Sequence, residues 1–536
     1  MGLHTLYHDC GACVIDGQRV VSISEERLNR QKHWGGFPTL SVRYCLDAFG
    51  LSGFNEIDLV AVDHMKDRQR DIEATIRAAG YDGTIEFVDH HDAHAAGAYF
   101  CSPFDEAAVL VVDGEGSLAP ERRGLFHSYR PREVQSFYRA DGEGLALLRR
   151  TYTRRTHRNG IGHFYGGVSR FLNLGPFGAG KVMGLAPYGR GNEELLFEFD
   201  GGDVLYRDAL DLRGTRDLGR FGKRYAGGLA PRTDEALPDT AYADLAWRAQ
   251  HNTERAMVAV AQWLYGQTRV NRLCLSGGVA LNSVANQRVL DETPFEELFV
   301  QPACSDAGIP FGAAMHAWHV TLGRPRFFRM DDAFQGRLYT DEEVREALES
   351  RSGLAWERPE DPAARAADLL AGGAIIGWFE GRSETGPRAL GHRSLLADPR
   401  SVTLRERMNR EVKRREPWRP FAPSVLSERA REYFELVCAS PFMLLVARVV
   451  AARRAEVPAI VHVDGTARVQ TVDRGGGRFR RLIEAFDRRT GVPMVLNTSF
   501  NLAGNPIVET PGDALDCFLG STTDALVLDS YLVRKR

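Results

Sequence analysis

The chain has 536 residues, too many for one ordinary hydrophobic core, so two or more domains are expected. Its 68 Lys and Arg against 71 Asp and Glu leave a net charge of −3, which argues against wholesale nucleic-acid or membrane-surface binding and leaves room for a local basic site. No apolar run approaches the ~20 residues that span a bilayer, the first nine residues lack a basic start before an apolar core, and the eight cysteines are scattered, so a cytoplasmic enzyme is expected.

Cys13-Val14-Ile15, Asp16-Gly17 and Val20-Val21-Ser22-Ile23 read as strand, turn and strand. Cys10 and Cys13 form a lone CxxC; with no second pair they read as packing residues rather than a zinc site. An amphipathic helix is expected near 40–49, with buried strands at 57–62, 85–88 and 107–112. Strands alternating with helices imply an α/β domain. Residues from about 190 to 240 are rich in Gly, Arg and Asp with weak periodicity and read as an insertion or mobile arm. A long helix is expected from Tyr242 to about Gln267. Arg272–Asn282 reads as a strand, a Gly turn and a helix opening at about Val279. The main boundary is expected near 325–345, giving domains 1–335 and 336–536.

Some of these elements carry residues suited to chemistry. If His90-His91-Asp92-Ala93-His94 opens a helix, His90 and His94 lie one turn apart on one face. Asp113 ends the next strand, and Asp306 stands in Cys304-Ser305-Asp306-Ala307-Gly308. Two imidazoles and two carboxylates suit Fe(II), Mn(II) or Zn(II); the plainer alternative is a pair of surface histidines. Ser276-Gly277-Gly278, with Asn282 beyond it, offers backbone N–H groups to phosphate or ribose oxygens, although two glycines at such a turn also occur for steric reasons.

In the second domain, an apolar run at 374–379 leads into Gly386-Pro387-Arg388-Ala389-Leu390-Gly391-His392-Arg393-Ser394. A second basic group follows: Lys413, Arg414, Arg415 and Arg419. His462–Gln470 alternates like a strand, which would put Asp464, Thr466 and Arg468 on one face. Asn497-Thr498-Ser499-Phe500-Asn501 adds amides and hydroxyls. Many donors and few acceptors suit a phosphorylated anion.

Together these motifs resemble the ATP-dependent O-carbamoyltransferases of the nodulation, cephamycin and tobramycin group. The likeness runs through Tyr7-His8-Asp9, Glu25-Glu26-Arg27, the histidine cluster, Val112-Asp113-Gly114, Lys181-Val182-Met183-Gly184, Ser276–Asn282, Ser305–Gly308, Gly386–Ser394, Lys413 to Pro423 and Asn497–Asn501. The resemblance implies an N-terminal Kae1-like domain of the actin/Hsp70/sugar-kinase superfamily and a C-terminal YrdC-like α/β domain. The second would form carbamoyl-adenylate from carbamoyl phosphate and ATP with Mg. The first would pass the carbamoyl group to an acceptor hydroxyl.

By the same resemblance, His90, His94, Asp113 and Asp306 bind a metal, Fe(II) first and Mn or Zn as alternatives. His8 is the candidate base with Asp9 beside it, and Lys32 is placed to stabilise charge on the carbamoyl oxygen. Lys413, Arg419, Arg468 and Ser499 would hold carbamoyl phosphate. Ser276, Gly277, Gly278, Asn282, Arg388, Arg393 and Asn497 would serve the nucleotide. The sequence names no acceptor beyond a small molecule bearing a hydroxyl, a natural product or antibiotic, and leaves a homodimer open. Two alternatives are a threonylcarbamoyl-adenosine-type tRNA enzyme, disfavoured by the near-neutral charge, and a non-catalytic nucleotide-gated binding protein. Hydrogenase cyanide-ligand assembly would need CxxC repeats that this sequence lacks.

Overall fold

The computed structural model describes residues 1–65, 68–119, 131–142, 144–153, 160–206, 226, 228–233 and 239–536. Their contacts form two compact units. The first comprises Met1–Leu6, Cys13–Arg19 and Gly53–Met330; the second comprises Tyr7–Ala12, Val20–Ser52 and Asp331–Arg536. Both are α/β. No helix among the described residues is long and apolar enough to cross a membrane.

In the first unit, strands Gly2–His4, Leu59–His64 and Thr84–Asp89 run parallel, with Leu3 opposite Val62 and Asp63 opposite Val88. Near-continuous apolar runs such as Val60-Ala61-Val62, all buried, are what a parallel strand covered on both faces requires. The expected Asp-Gly turn is present: the Asp16 carboxylate accepts from the Gln18 and Arg19 N–H groups, and Gly17 takes φ +85°. A second sheet has the order Glu297–Val300, Arg272–Ser276, Ala107–Val112, Glu133–Asp141, Gly144–Tyr152, the first three parallel and the rest antiparallel.

Helix His90–Tyr99 packs against helix Ile309–His316. The two backbones come close at glycines: a Cβ on Gly97 would lie 3.0 Å from Gly312 Cα, and one on Gly312 would lie 2.1 Å from Ala93 O. The long helix runs Thr240–Thr268 and is capped by Asp239, whose carboxylate accepts from the Ala241 and Tyr242 N–H groups.

One expectation is corrected. The helix after the Gly turn opens at Ser283, not Val279; a 3-10 turn at Gly278–Leu281 intervenes, and the Asn282 side chain caps the helix by accepting from Ala285 N–H. The 190–240 segment contains an antiparallel pair, Phe197–Asp200 with Asp203–Tyr206, while 207–225, 227 and 234–238 lie outside the described residues.

The second unit is built on an eight-stranded mixed sheet. Its order is Leu354–Glu357, Tyr531–Lys535, Ala525–Leu528, Ile376–Phe379, Arg393–Ala397, Met494–Ser499, Ala422–Leu426, Gln470–Val472. Helices Pro362–Ala371 and Gly477–Thr490 pack together on it, closing a core that holds Trp378, Phe379, Leu396, Leu496 and Phe486. Here too one expectation changes. His462–Gln470 is not one strand: Asp464 sits in a turn and accepts from the Thr466 N–H and hydroxyl, Thr466–Arg468 pairs with Val446–Arg448, and a new strand starts at Gln470.

Candidate metal centre and anion site

His90 and His94 do lie one turn apart on helix His90–Tyr99, which follows strand Thr84–Asp89 directly. Asp113 follows strand Ala107–Val112, and Asp306 opens the 3-10 turn Asp306–Gly308. All four are buried, and one ligand atom from each lies within 4.8 Å of the others. His90 Nε2 is 3.4 Å from Asp113 Oδ2 and 3.6 Å from Asp306 Oδ1; His94 Nε2 is 3.9 and 3.8 Å from the same atoms.

The rings are held from behind. His90 Nδ1 lies 2.8 Å from Asp63 Oδ2, and Asp63 Oδ1 lies 2.6 Å from His4 Nδ1. His94 Nδ1 lies 3.2 Å from Ser276 Oγ, whose own proton goes to Cys304 O. These contacts occupy Nδ1 of each ring and leave both Nε2 atoms facing the carboxylates. Both Nε2 atoms are buried without a hydrogen-bond partner. Buried polar atoms are rarely left so. A cation bound between these imidazoles and carboxylates would satisfy them, so the residues fit Fe(II), Mn(II) or Zn(II).

The two rings differ in charge preference. Burial opposes charging the His90 ring, yet Asp113, Asp306 and Asp63 outweigh it and raise its pKa well above 6.5. Burial and then His90 push His94 down to about 4. Burial would raise the Asp63 carboxyl, but His4 and His90 hold it well below the usual carboxylate range.

The Gly turn serves this centre. Gly278 N–H donates to Asp113 Oδ1 at 2.8 Å, and Gly277 N–H donates to Cys304 O. A Cβ at Gly277, where φ is +89°, would lie 2.2 Å from Val112 O. Asn282 is engaged with Gln250 and Ala285. Ser276, Gly277 and Gly278 thus gather around the metal ligands.

In the second unit, Lys413 and Ser499 come together: Lys413 Nζ donates to Ser499 O at 2.7 Å and to Ser499 Oγ at 3.1 Å. Burial and then the like charges of Arg415, Arg419 and Lys32 lower the Lys413 pKa well below 10.5. Arg468 is also pushed down, first by burial and then by Arg388, Arg415 and Arg419, and its buried Nε has no hydrogen-bond partner. Arg419 lies 3.6 Å from Glu416.

Arg393 is different. Its guanidinium is fully buried, sits 3.6 Å over the Phe379 ring, and donates to the carbonyls of Glu509, Glu380, His392 and Gly381. Asn497, also buried, donates to Ala389 O, Ser424 Oγ and Gln470 Oε1. A residue that sequence reasoning missed holds the intervening loop: Glu384 Oε1 accepts from the N–H groups of Leu390, His392 and Arg393.

His8, Asp9 and Lys32 belong to the second unit. His8 Nδ1 lies 2.9 Å from Asp9 Oδ2, and His33 Nδ1 lies 2.8 Å from Asp9 Oδ1. The Glu26 carboxylate accepts from His33 N–H. Burial opposes this carboxylate charge, but the two histidines hold Asp9 well below the usual range. Glu26 stood in the Glu25-Glu26-Arg27 motif without a role, and His33, His4 and Asp63 were not picked out from the sequence.

Two family models match the chain. The family model described as "Carbamoyltransferase N-terminus" matches residues 1–81 and 76–315, and "Carbamoyltransferase C-terminus" matches 367–535. The nodulation protein NolNO of Sinorhizobium fredii is 38% identical over 99% of this chain and 80% of its own length. NolO of Bradyrhizobium diazoefficiens is 40% identical over 84% of this chain and 79% of its own. The 3'-hydroxymethylcephem-O-carbamoyltransferase of Amycolatopsis lactamdurans is 34% identical over 49% of each chain.

Proposed function

The chain belongs to the carbamoyltransferase family, and on that premise we propose that it forms carbamoyl-adenylate from carbamoyl phosphate and ATP and transfers the carbamoyl group to a hydroxyl of a small-molecule acceptor. The observation that carries this reading is the group of cations around Arg468 in the second unit. Burial and then the like charges of Arg388, Arg415 and Arg419 oppose the charge of Arg468, whose buried Nε has no hydrogen-bond partner. Such a group is costly until an anion enters it. Carbamoyl phosphate and a nucleotide triphosphate are anions of the required charge.

Lys413, Arg419, Arg468 and Ser499 would bind carbamoyl phosphate, with Arg388 on the nucleotide. Arg393, Asn497 and Glu384 would act behind them, through the backbone they hold. Adenylate formation consumes one water and releases phosphate and pyrophosphate. For transfer, His8 is the group proposed to take the acceptor's hydroxyl proton. Its Nδ1–H bond to Asp9 leaves Nε2 as the basic nitrogen. Lys32 would stabilise charge developing on the carbamoyl oxygen. A divalent cation held by His90, His94, Asp113 and Asp306 would supply Lewis-acid polarisation of an oxygen. An O-carbamoyltransferase among the relatives supports a hydroxyl acceptor of natural-product type.

The test needs no acceptor. The protein is incubated with ATP and Mg(II), with and without carbamoyl phosphate, and AMP and pyrophosphate are quantified. AMP should form only with carbamoyl phosphate. Lys413→Ala should lose about 2–5 kcal/mol of binding or transition-state stabilisation, which abolishes the signal in practice. AMP release indifferent to carbamoyl phosphate would refute the adenylate reading.

A further inference from the structure

Strand register, rather than local sequence, brings His4, Asp63 and His90 into one row. Gly2 and Leu3 pair with Ala61 and Val62 in a parallel ladder, and the next residues along are His4 and Asp63. Asp63 pairs in turn with Val88 on the third strand, which ends at Asp89 and passes into His90. All three side chains are fully buried. Asp63 gives one oxygen to each ring, at 2.6 Å to His4 and 2.8 Å to His90.

A carboxylate in so dry a place that bonded only His90 would keep a second oxygen in need of a donor and could rotate to find one. The His4 bond supplies that donor and removes the rotation. We infer that His4 and Asp63 are positioning residues of the metal centre, with His4 acting through Asp63 to hold the His90 ring so that its Nε2 faces Asp113 and Asp306. Carboxylates behind metal-bound histidines fix ring orientation and raise ligand basicity in this way.

This inference rests on the metal reading of the quartet. The test measures Zn(II) affinity of the metal-stripped, full-length protein by competition with a fluorescent chelator at neutral pH. The variants are His4→Ala, His4→Asn, Asp63→Asn and the double variant His4→Ala with Asp63→Asn. His4→Ala and Asp63→Asn should each weaken Zn(II) binding by about 10- to 100-fold. His4→Asn keeps an N–H donor near the Nδ1 position and should recover most of the affinity. The double variant should bind no worse than the weaker single variant, because the two act in series.

Denaturant unfolding of each metal-free protein separates loss of fold from loss of affinity. Wild-type Zn(II) affinity in a folded His4→Ala protein would overturn the inference, as would losses that multiply in the double variant. Wild type that binds no Zn(II), Mn(II) or Fe(II) would overturn the metal reading itself, a distinct result.

Discussion

Glu380 follows strand Ile376–Phe379 and accepts from Trp378 Nε1 at 3.2 Å and Arg478 N at 3.1 Å. Burial raises its pKa to about 7, against the pull of Arg478. The folded value therefore lies above the ordinary 4.5, so the native state binds the proton more tightly than the unfolded chain. That contribution to stability is complete below pH 4.5 and is lost as pH rises through 7. Over this window one such group gives a slope approaching ~1.4 kcal/mol per pH unit. Glu380→Gln should flatten the corresponding part of the stability curve in denaturant titrations at pH 4.5 to 8; an unchanged slope would show that other groups set it. At this scale the sequence was partly legible. His90, His94, Asp113 and Asp306 could be chosen from spacing and strand ends, and they meet. Arginines could be recognised as abundant but not sorted. The fate of a guanidinium depends on which carbonyls surround it, and those of Glu509 and Glu380 reach Arg393 from 116 and 13 residues away.

At the scale of elements, the close crossing of helices His90–Tyr99 and Ile309–His316 holds the candidate metal quartet together. A methyl group at Gly312 would meet Ala93 O at 2.1 Å, and Ala93 lies between the two histidines. Gly312→Ala should force the helices apart and cost about 1–3 kcal/mol, read as a lower denaturant midpoint. Apolar periodicity located strands such as Leu59–His64 and Ala107–Val112 and the long helix Thr240–Thr268, while helices such as Ile309–His316 and Gly477–Thr490 went unread. Boundaries depended on caps, and the Ser283 start was misread because Asn282, an amide that any turn could hold, is the capping group. The His4–Asp63 pairing had no local signature at all, since a parallel register joins residues whose sequence separation is 59.

For the molecule as a whole, the candidate metal quartet and the buried cation group fall in different compact units. The quartet lies wholly in the first, and Lys413, Arg419, Arg468 and Ser499 lie wholly in the second. Stripping transition metal with a chelator and then restoring Mg(II) should leave carbamoyl-phosphate-dependent AMP formation within about twofold of the untreated protein. A parallel collapse of AMP formation would mean that the first unit's metal takes part in making the adenylate. The membership of Tyr7–Ala12 and Val20–Ser52 in the second unit was not legible in the sequence. It rests on long-range contacts such as Tyr44 Oη donating to Glu509 and Arg30 donating to the carbonyls of Pro506 and Ile507.

The order of the eight-stranded sheet also has a consequence for how the second unit comes apart. Strands Arg393–Ala397 and Met494–Ser499 lie side by side in its interior, and they carry Arg393, Asn497 and Ser499. Interior strands exchange their amide hydrogens only in the rarest, most global openings, whereas edge strands such as Leu354–Glu357 and Gln470–Val472 open in frequent partial ones. In deuterium-labelling mass spectrometry, peptides spanning 393–397 and 494–499 should therefore be the slowest to label in this unit. The strands that carry Arg393, Asn497 and Ser499 would outlast the edges of their own sheet, so a chain that has begun to fray would still hold these three side chains in register.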